Sequence, residues 1–155
     1  MTEPRYQDIL SNEIPEIKTE DGARIRVIAG TVGSVLGPVT GIAVELTYLD
    51  VFIPPHASFT RQIDRGHTAF AYVFEGEAKF AVDDRGDGTM IAHPRLVAWG
   101  AGDYVTITTA ENPVRFLLVS AKPLHEPIAR YGPFVMNTRE EIEETLRDLR
   151  QGTFV

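Results

Sequence analysis

The sequence predicts an all-β fold, a small barrel with one α-helix at its C-terminal end. Three observations carry that prediction. Short apolar runs recur between residues 24 and 120, Gly-, Asp- and Pro-rich separators punctuate them, and helical periodicity appears only after residue 138. Many short strands at such spacing indicate a sandwich or a barrel.

Taken in order, residues 1–23 read as an extended arm and the first strands as 24–29 and 46–53. Glycines at 30, 33, 37 and 41 do not form a phosphate-cradling motif and read as turns entering the barrel. Strands over 69–74 and 78–82 flank Glu75-Gly76-Glu77, which reads as a tight turn. Asp83-Asp84-Arg85-Gly86-Asp87-Gly88 resembles a calcium loop, but Arg85 takes an acceptor position and Pro94 the terminal Glu position. A hairpin turn is the better reading. Strands over 96–99, 104–109 and 114–120 complete the barrel, with Gly100-Ala101-Gly102-Asp103 between the first two. Residues 121–137 form a second arm. Thr138 and Glu141 then make a capping box, and Ile142, Leu146 and Leu149 fall on one helical face. Glu143 and Arg147 are spaced to pair along the outer face, worth about 0.2–0.5 kcal/mol. The run Glu140, Glu141, Glu143 and Glu144 reads as a solvated face.

A chain of 155 residues is long enough to bury its own core, and one domain is the natural expectation. Apolar residues make up 43% and charged residues 24%, as in ordinary globular chains. A net charge of −7 argues against nucleic acid as a direct ligand, since phosphate neutralisation needs clustered Lys and Arg. With no cysteine there are no disulfides, thiolate ligands or thiol nucleophile. The opening MTEPRYQDIL lacks the apolar core of a signal peptide, and no stretch has the length of a membrane helix. A cytoplasmic protein without membrane contact is the expectation.

Two internal segments and the tail carry a family likeness. Tyr72-Val73-Phe74-Glu75-Gly76-Glu77 and Gly102-Asp103-Tyr104-Val105-Thr106-Ile107 resemble the two motif regions of cupin barrels, the RmlC-like jelly rolls. Lys122-Pro123-Leu124, Glu126-Pro127 and the run from Arg130 through GPFVMNT to Ile142 resemble the C-terminal half of the pirin family. Tyr6-Gln7-Asp8-Ile9 with Ile14-Pro15-Glu16 resembles the linker joining the two cupins of a pirin. The likeness implies a cupin jelly-roll β-barrel over 24–120, a linker-like arm over 1–23, and a C-terminal arm and helix over 121–155, a single domain overall. It also implies that the chain carries only the second cupin of a bicupin. Pirins resemble quercetin 2,3-dioxygenases, and the resemblance places their iron and chemistry in the first cupin.

By the same likeness, cupin metal ligands would fall at Ile63, Arg65, Ala69 and at Pro113-Val114. None of these is a ligand, so the His/Glu cage that suits non-haem iron is missing and no metal or other cofactor is expected in this chain. His67 shares the parity of the slots, but one histidine does not hold a metal against water. It reads as a core or pocket-rim histidine. His56, His93 and His125 read as loop histidines. Glu75 and Glu77 flank a glycine and read as solvated, and no serine sits in a nucleophile elbow.

What remains is the barrel interior. Slot parity turns Ala69, Ala71 and Val73 inward, and Tyr48, Tyr72 or Trp99 could close a small apolar pocket with His67 as its polar handle. Filling by neighbouring large side chains is the stronger expectation, because interiors pack densely. Three functions follow as expectations. The first is a metal-free structural or interaction half of a pirin-type assembly. The second is part of a quercetin 2,3-dioxygenase whose iron lies in a separate N-terminal cupin, so that this chain alone is no enzyme. The third is a binder of a small apolar ligand. Apolar residues in the arms, Ile9, Ile14, Ile17, Leu124 and Ile128 with Tyr131, Phe134, Val135 and Met136, point to an interface and a homodimer.

Overall fold

Alternation between buried and exposed residues runs along most strands and sets which face of each meets the core. In the computed structural model of the protein, residues 6–81 and 87–154 are described. A 3-10 turn at Ser11–Glu13 leads into β1 (Glu16–Lys18), β2 (Arg24–Ala29), β3 (Thr31–Val32) and β4 (Val35–Leu36). There follow β5 (Thr47–Ile53), β6 (Ser58–Gln62), β7 (Thr68–Ala81), β8 (Gly88–Ala92), β9 (Arg95–Ala98), β10 (Tyr104–Thr108) and β11 (Val114–Ala121). The last elements are β12 (Ala129–Tyr131), β13 (Phe134–Met136) and α1 (Arg139–Gln151). The described chain divides into two units, Gln7–Pro123 and a second made of residues 124–154 with Tyr6.

In the first unit a 9-stranded sheet runs β1-β2-β5-β11-β7-β10-β6, with β8 and β9 also paired to β7. Inward residues of these strands meet in one cluster, where Leu49, Ile53, Phe80, Ile107, Phe116 and Leu118 are fully buried. Phe116 meets Phe59 and Phe80 edge-on, with ring centroids 6.0 and 5.9 Å apart. Each such contact adds about 0.5–1.5 kcal/mol beyond the area it buries. The interior is filled by large side chains, as dense packing requires.

The tight turn expected at Glu75-Gly76-Glu77 does not form. β7 runs straight through it, pairing first with β11 and then, from Glu77, with β8. A register irregularity opposite Arg115/Phe116 makes the segment a β-bulge. The extra residue reverses the parity, so Ala69, Ala71 and Val73 point inward before it and Ala78 and Phe80 after it. Gly76 sits at φ 72°, and a Cβ there would collide with the Pro113 carbonyl, so only glycine fits.

The arms also differ from expectation. β1 pairs with β2 inside the stretch read as an extended arm, and Ile17 packs against the barrel core. β6 and β8 join the sheet although no strand is expected there, because SFTRQ is too polar, and Met90-Ile91-Ala92 too short, to stand out as an apolar run. In the second unit, β12 and β13 form a hairpin within the expected arm. The turn expected at Asp83-Asp84-Arg85-Gly86-Asp87-Gly88 lies outside the described residues up to Gly86. The strands that would flank it pair as far as Ala81 with Gly88.

The helix begins as its capping box requires. Thr138 Oγ1 accepts from Glu141 N at 3.2 Å, and Glu141 Oε2 accepts from Thr138 N at 2.9 Å. Glu143 pairs with Arg139 at 3.6 Å, one turn before it, instead of with Arg147. Ile142 is buried, whereas Leu149 at the far end of the same face is exposed. Among the described residues no helix is long and apolar enough to cross a membrane.

Candidate functional site

The end of β6 and the start of β7 bring Ile63, Arg65 and Ala69 to one end of the barrel, whereas Val114 lies at the far end of β11, opposite Gly76 and Ile53. Ile63, Ala69 and Val114 are buried apolar residues of the core cluster. Arg65 is 87% exposed, and its Nη2 donates to Asp103 Oδ2 at 3.0 Å. Three aliphatic side chains and a guanidinium offer no lone pair to a cation, so these residues do not fit an iron ion. Among the described residues no three His, Cys, Asp or Glu side chains come together as a metal-binding group.

Beside the slots lies a cavity of about 660 Å³, lined by His67, Thr68, Trp99, Arg65 and Asp103 and by the 100–102 loop. The His67 side chain is only 7% exposed, and its Nε2 lies 3.6 Å from Glu45 Oε2. Trp99 donates its backbone N–H to Ala69 O at 3.1 Å and packs its ring 6.0 Å from Phe80. Of the residues expected to form a pocket, His67 and Trp99 therefore share one wall. Ala69 and Ala71 face inward into the filled core instead of an open space. Tyr48 and Tyr72 sit on the opposite face of their strands, since Leu49 and Ala71 beside them point in. The structure does not bring the two tyrosines to this cavity.

A second cavity, of about 230 Å³, is lined by Thr47, Arg61, Gln62, Ile63, Asp64 and Ser120. Arg61 follows the inward parity of Phe59 and Ile63 on β6, a position that sequence reasoning missed because it assigned no strand there. Its signal was the two-residue spacing of Phe59, Arg61 and Ile63.

On the outer face of β2, β5 and β11 stands a charged cluster, equally unforeseen. Asp50 accepts from Arg115 Nε at 2.9 Å and Nη2 at 2.6 Å, and Arg26 Nη1 approaches it at 3.9 Å. That hydrogen bonding holds the Arg115 guanidinium above its ordinary pKa against the opposing effect of burial. Arg26 Nη2 also donates to Ser11 O at 2.6 Å and Ser11 Oγ at 2.8 Å, tying the N-terminal segment to the sheet. A lone carboxylate within an apolar run was the available clue.

The other histidines are where loops would put them. His56, at φ 57°, lies 3.4 Å from Glu111 on the surface, and His93 and His125 are exposed. Glu77 accepts from Asn112 Nδ2 at 2.9 Å, and Glu75 is exposed.

Comparison with known proteins agrees with this fold. The profile of the pirin C-terminal cupin domain matches residues 48–155. The chain is 36% identical over 152 residues to pirin of Homo sapiens, covering 97% of this chain and 51% of that protein. A pirin-like protein of Arabidopsis thaliana is 36% identical over 151 residues, covering 96% of this chain and 48% of its own length. Among solved structures, quercetin 2,3-dioxygenase from Acinetobacter baumannii superposes with a TM-score of 0.85 at 32% identity, covering 97% of this chain and 50% of that one. The chain thus spans about half the length of the relatives it matches.

Proposed function

Because the chain belongs to the pirin C-terminal cupin domain family, we propose that it acts as the metal-free structural and interaction half of a pirin-type assembly. One observation supports this reading: Ile63, Arg65, Ala69 and Val114, the positions at which the family likeness would put metal ligands, carry no ligating side chain. Iron and its chemistry would then reside in a first cupin, supplied by another domain or another chain. In that arrangement this barrel contributes stability and contact surface. Mixing the purified chain with an iron-loaded N-terminal pirin cupin tests it. The two should co-elute, and quercetin should be consumed only by the mixture. Co-elution failing at micromolar concentrations would remove the support for an assembly.

The relative named as a quercetin 2,3-dioxygenase supports a second reading, in which the assembly is such an enzyme and this chain its non-catalytic part. The cavity shared by His67 and Trp99 supports a third, a small apolar ligand held against the indole with the imidazole as its polar contact.

A second copy of the chain is the proposed partner when no first cupin is present. Leu124, Ile128, Tyr131 and Val135 are exposed apolar residues of one short stretch in the second unit. The β12–β13 register sets Tyr131 and Val135 on opposite faces of the hairpin, so apolar side chains are exposed on both, and a two-fold dimer is the simplest closed way to cover them. Phe134 is better accounted for inside its own chain, where it meets Phe154 edge-on at 5.8 Å.

A further inference from the structure

We propose that the small cavity beside Arg61 binds a compact organic carboxylate. The argument starts from the strand. β6 alternates, and Phe59 and Ile63 on either side of Arg61 are buried in the barrel core. Arg61 shares their direction, so a guanidinium is carried toward the barrel interior at the end where the slot residues Ile63 and Ala69 lie. An arginine placed so normally meets a carboxylate or several carbonyls. Here Nη2 donates to Thr31 O at 2.8 Å, while Nε is buried and has no hydrogen-bond partner among the described residues. No carboxylate among the described residues comes within ion-pair distance of it. Burial draws the guanidinium below its ordinary pKa, and Asp64 opposes this from a distance. An arginine keeps its proton even so, and the cation therefore stands half-buried, with its Nε covered and unpartnered.

Beside it is space for the missing partner. The 230 Å³ cavity would hold roughly seven or eight waters at about 30 Å³ each, or one small organic anion. Its other walls are chemically mixed. Thr47, Ser120 and Gln62 bring hydroxyl and amide groups, and Ile63 brings an apolar surface. A carboxylate fits the planar fork of a guanidinium, and a slight tilt toward the cavity would bring Nε onto the ligand. The hydroxyls suit a polar substituent on a short carbon body. A phosphate dianion fits less well, because Asp64 lies on the same wall and the cavity offers one cation. In this reading the guanidinium provides the positive charge that a metal supplies in other barrels of this shape. The site is separate from the cavity of His67 and Trp99, and it stands whether or not that cavity is used.

The test is a titration of the unmutated protein with sodium acetate, lactate and succinate at constant ionic strength, followed by calorimetry and by the arginine Nε–H resonances in NMR. One resonance, absent from Arg61→Met, should shift saturably with a Kd in the millimolar range or tighter. Arg61→Met should weaken binding at least tenfold, whereas Arg95→Gln, at an exposed arginine, should leave it unchanged. If Arg61→Met does not fold, the assigned Arg61 resonance of the unmutated protein still decides. No saturable shift with any of the three acids would overturn the proposal. So would equally tight binding by Arg61→Met, or tighter binding of inorganic phosphate than of every carboxylate.

Discussion

Arg115 grips Asp50 with two hydrogen bonds, from Nε at 2.9 Å and from Nη2 at 2.6 Å, across the β5–β11 pair. The Asp50 side chain is 11% exposed, so removing Arg115 leaves a largely buried carboxylate with the longer Arg26 contact at 3.9 Å. Arg115→Ala is expected to destabilise the protein by about 1.5–3 kcal/mol, the range for hydrogen bonds to charged groups. Urea unfolding would measure it. The raised pKa of Arg115 fixes the pH behaviour: its stabilisation is fully present below the ordinary arginine value and lost only as pH rises above it. The contribution of Arg115 should therefore be constant between pH 6 and 9, and a loss within that window would contradict the assignment.

Gly76 offers a sharper test of the bulge. With φ at 72° and the Pro113 carbonyl in the way of a Cβ, Gly76→Ala should cost at least about 1–3 kcal/mol. The midpoint of urea unfolding should fall with little change in its slope. A neutral outcome would mean that the strand passes from β11 to β8 in some other way.

Iron supplied to the isolated chain should not bind at the slot residues. Dialysis against excess Fe(II) followed by elemental analysis is expected to find well under one ion per chain. Near-stoichiometric metal that disappears in His67→Ala would show that His67 anchors a site after all. Quercetin should likewise remain unconsumed above a buffer blank, and turnover that survives a chelator would reveal chemistry outside these slots.

Self-association should depend on the exposed apolar residues of the second unit. Sedimentation at micromolar concentration is expected to give about twice the chain mass. Tyr131→Glu with Val135→Glu should return it to the monomer without unfolding it, since both side chains are exposed. Phe134 is a poor choice for that test because its ring packs on Phe154. A clean monomer in the unmutated protein would defeat the dimer.

The sequence by itself determined what local patterns can encode. Short apolar runs between turn signals marked β2, β5, β10 and β11, and the capping box of Thr138 and Glu141 placed the start of α1. The motif stretches around Gly76 and Gly102, with the tail through GPFVMNT, were specific enough to carry the family and with it the barrel. The absence of ligating side chains at Ile63, Arg65, Ala69 and Val114 was legible once that likeness supplied the spacing.

Tertiary structure decided everything that depends on register between distant strands. Whether Glu75-Gly76-Glu77 turns or bulges is settled by Val114 and Arg115 on the paired strand, and the bulge then sets the inward parity of Ala78 and Phe80. Tyr72 is turned away from the interior by the inward parity of Ala71 and Val73, and Tyr48 by that of Leu49, and neither lines the His67 cavity. Asp50 and Arg115 meet because β5 and β11 pair, although 65 positions separate them. Arg61 faces inward because a strand too polar to be recognised pairs with β10 and carries it there. Local pattern sets the period of an element, whereas pairing with distant chain sets its register, and the register chooses which side chains share a cavity.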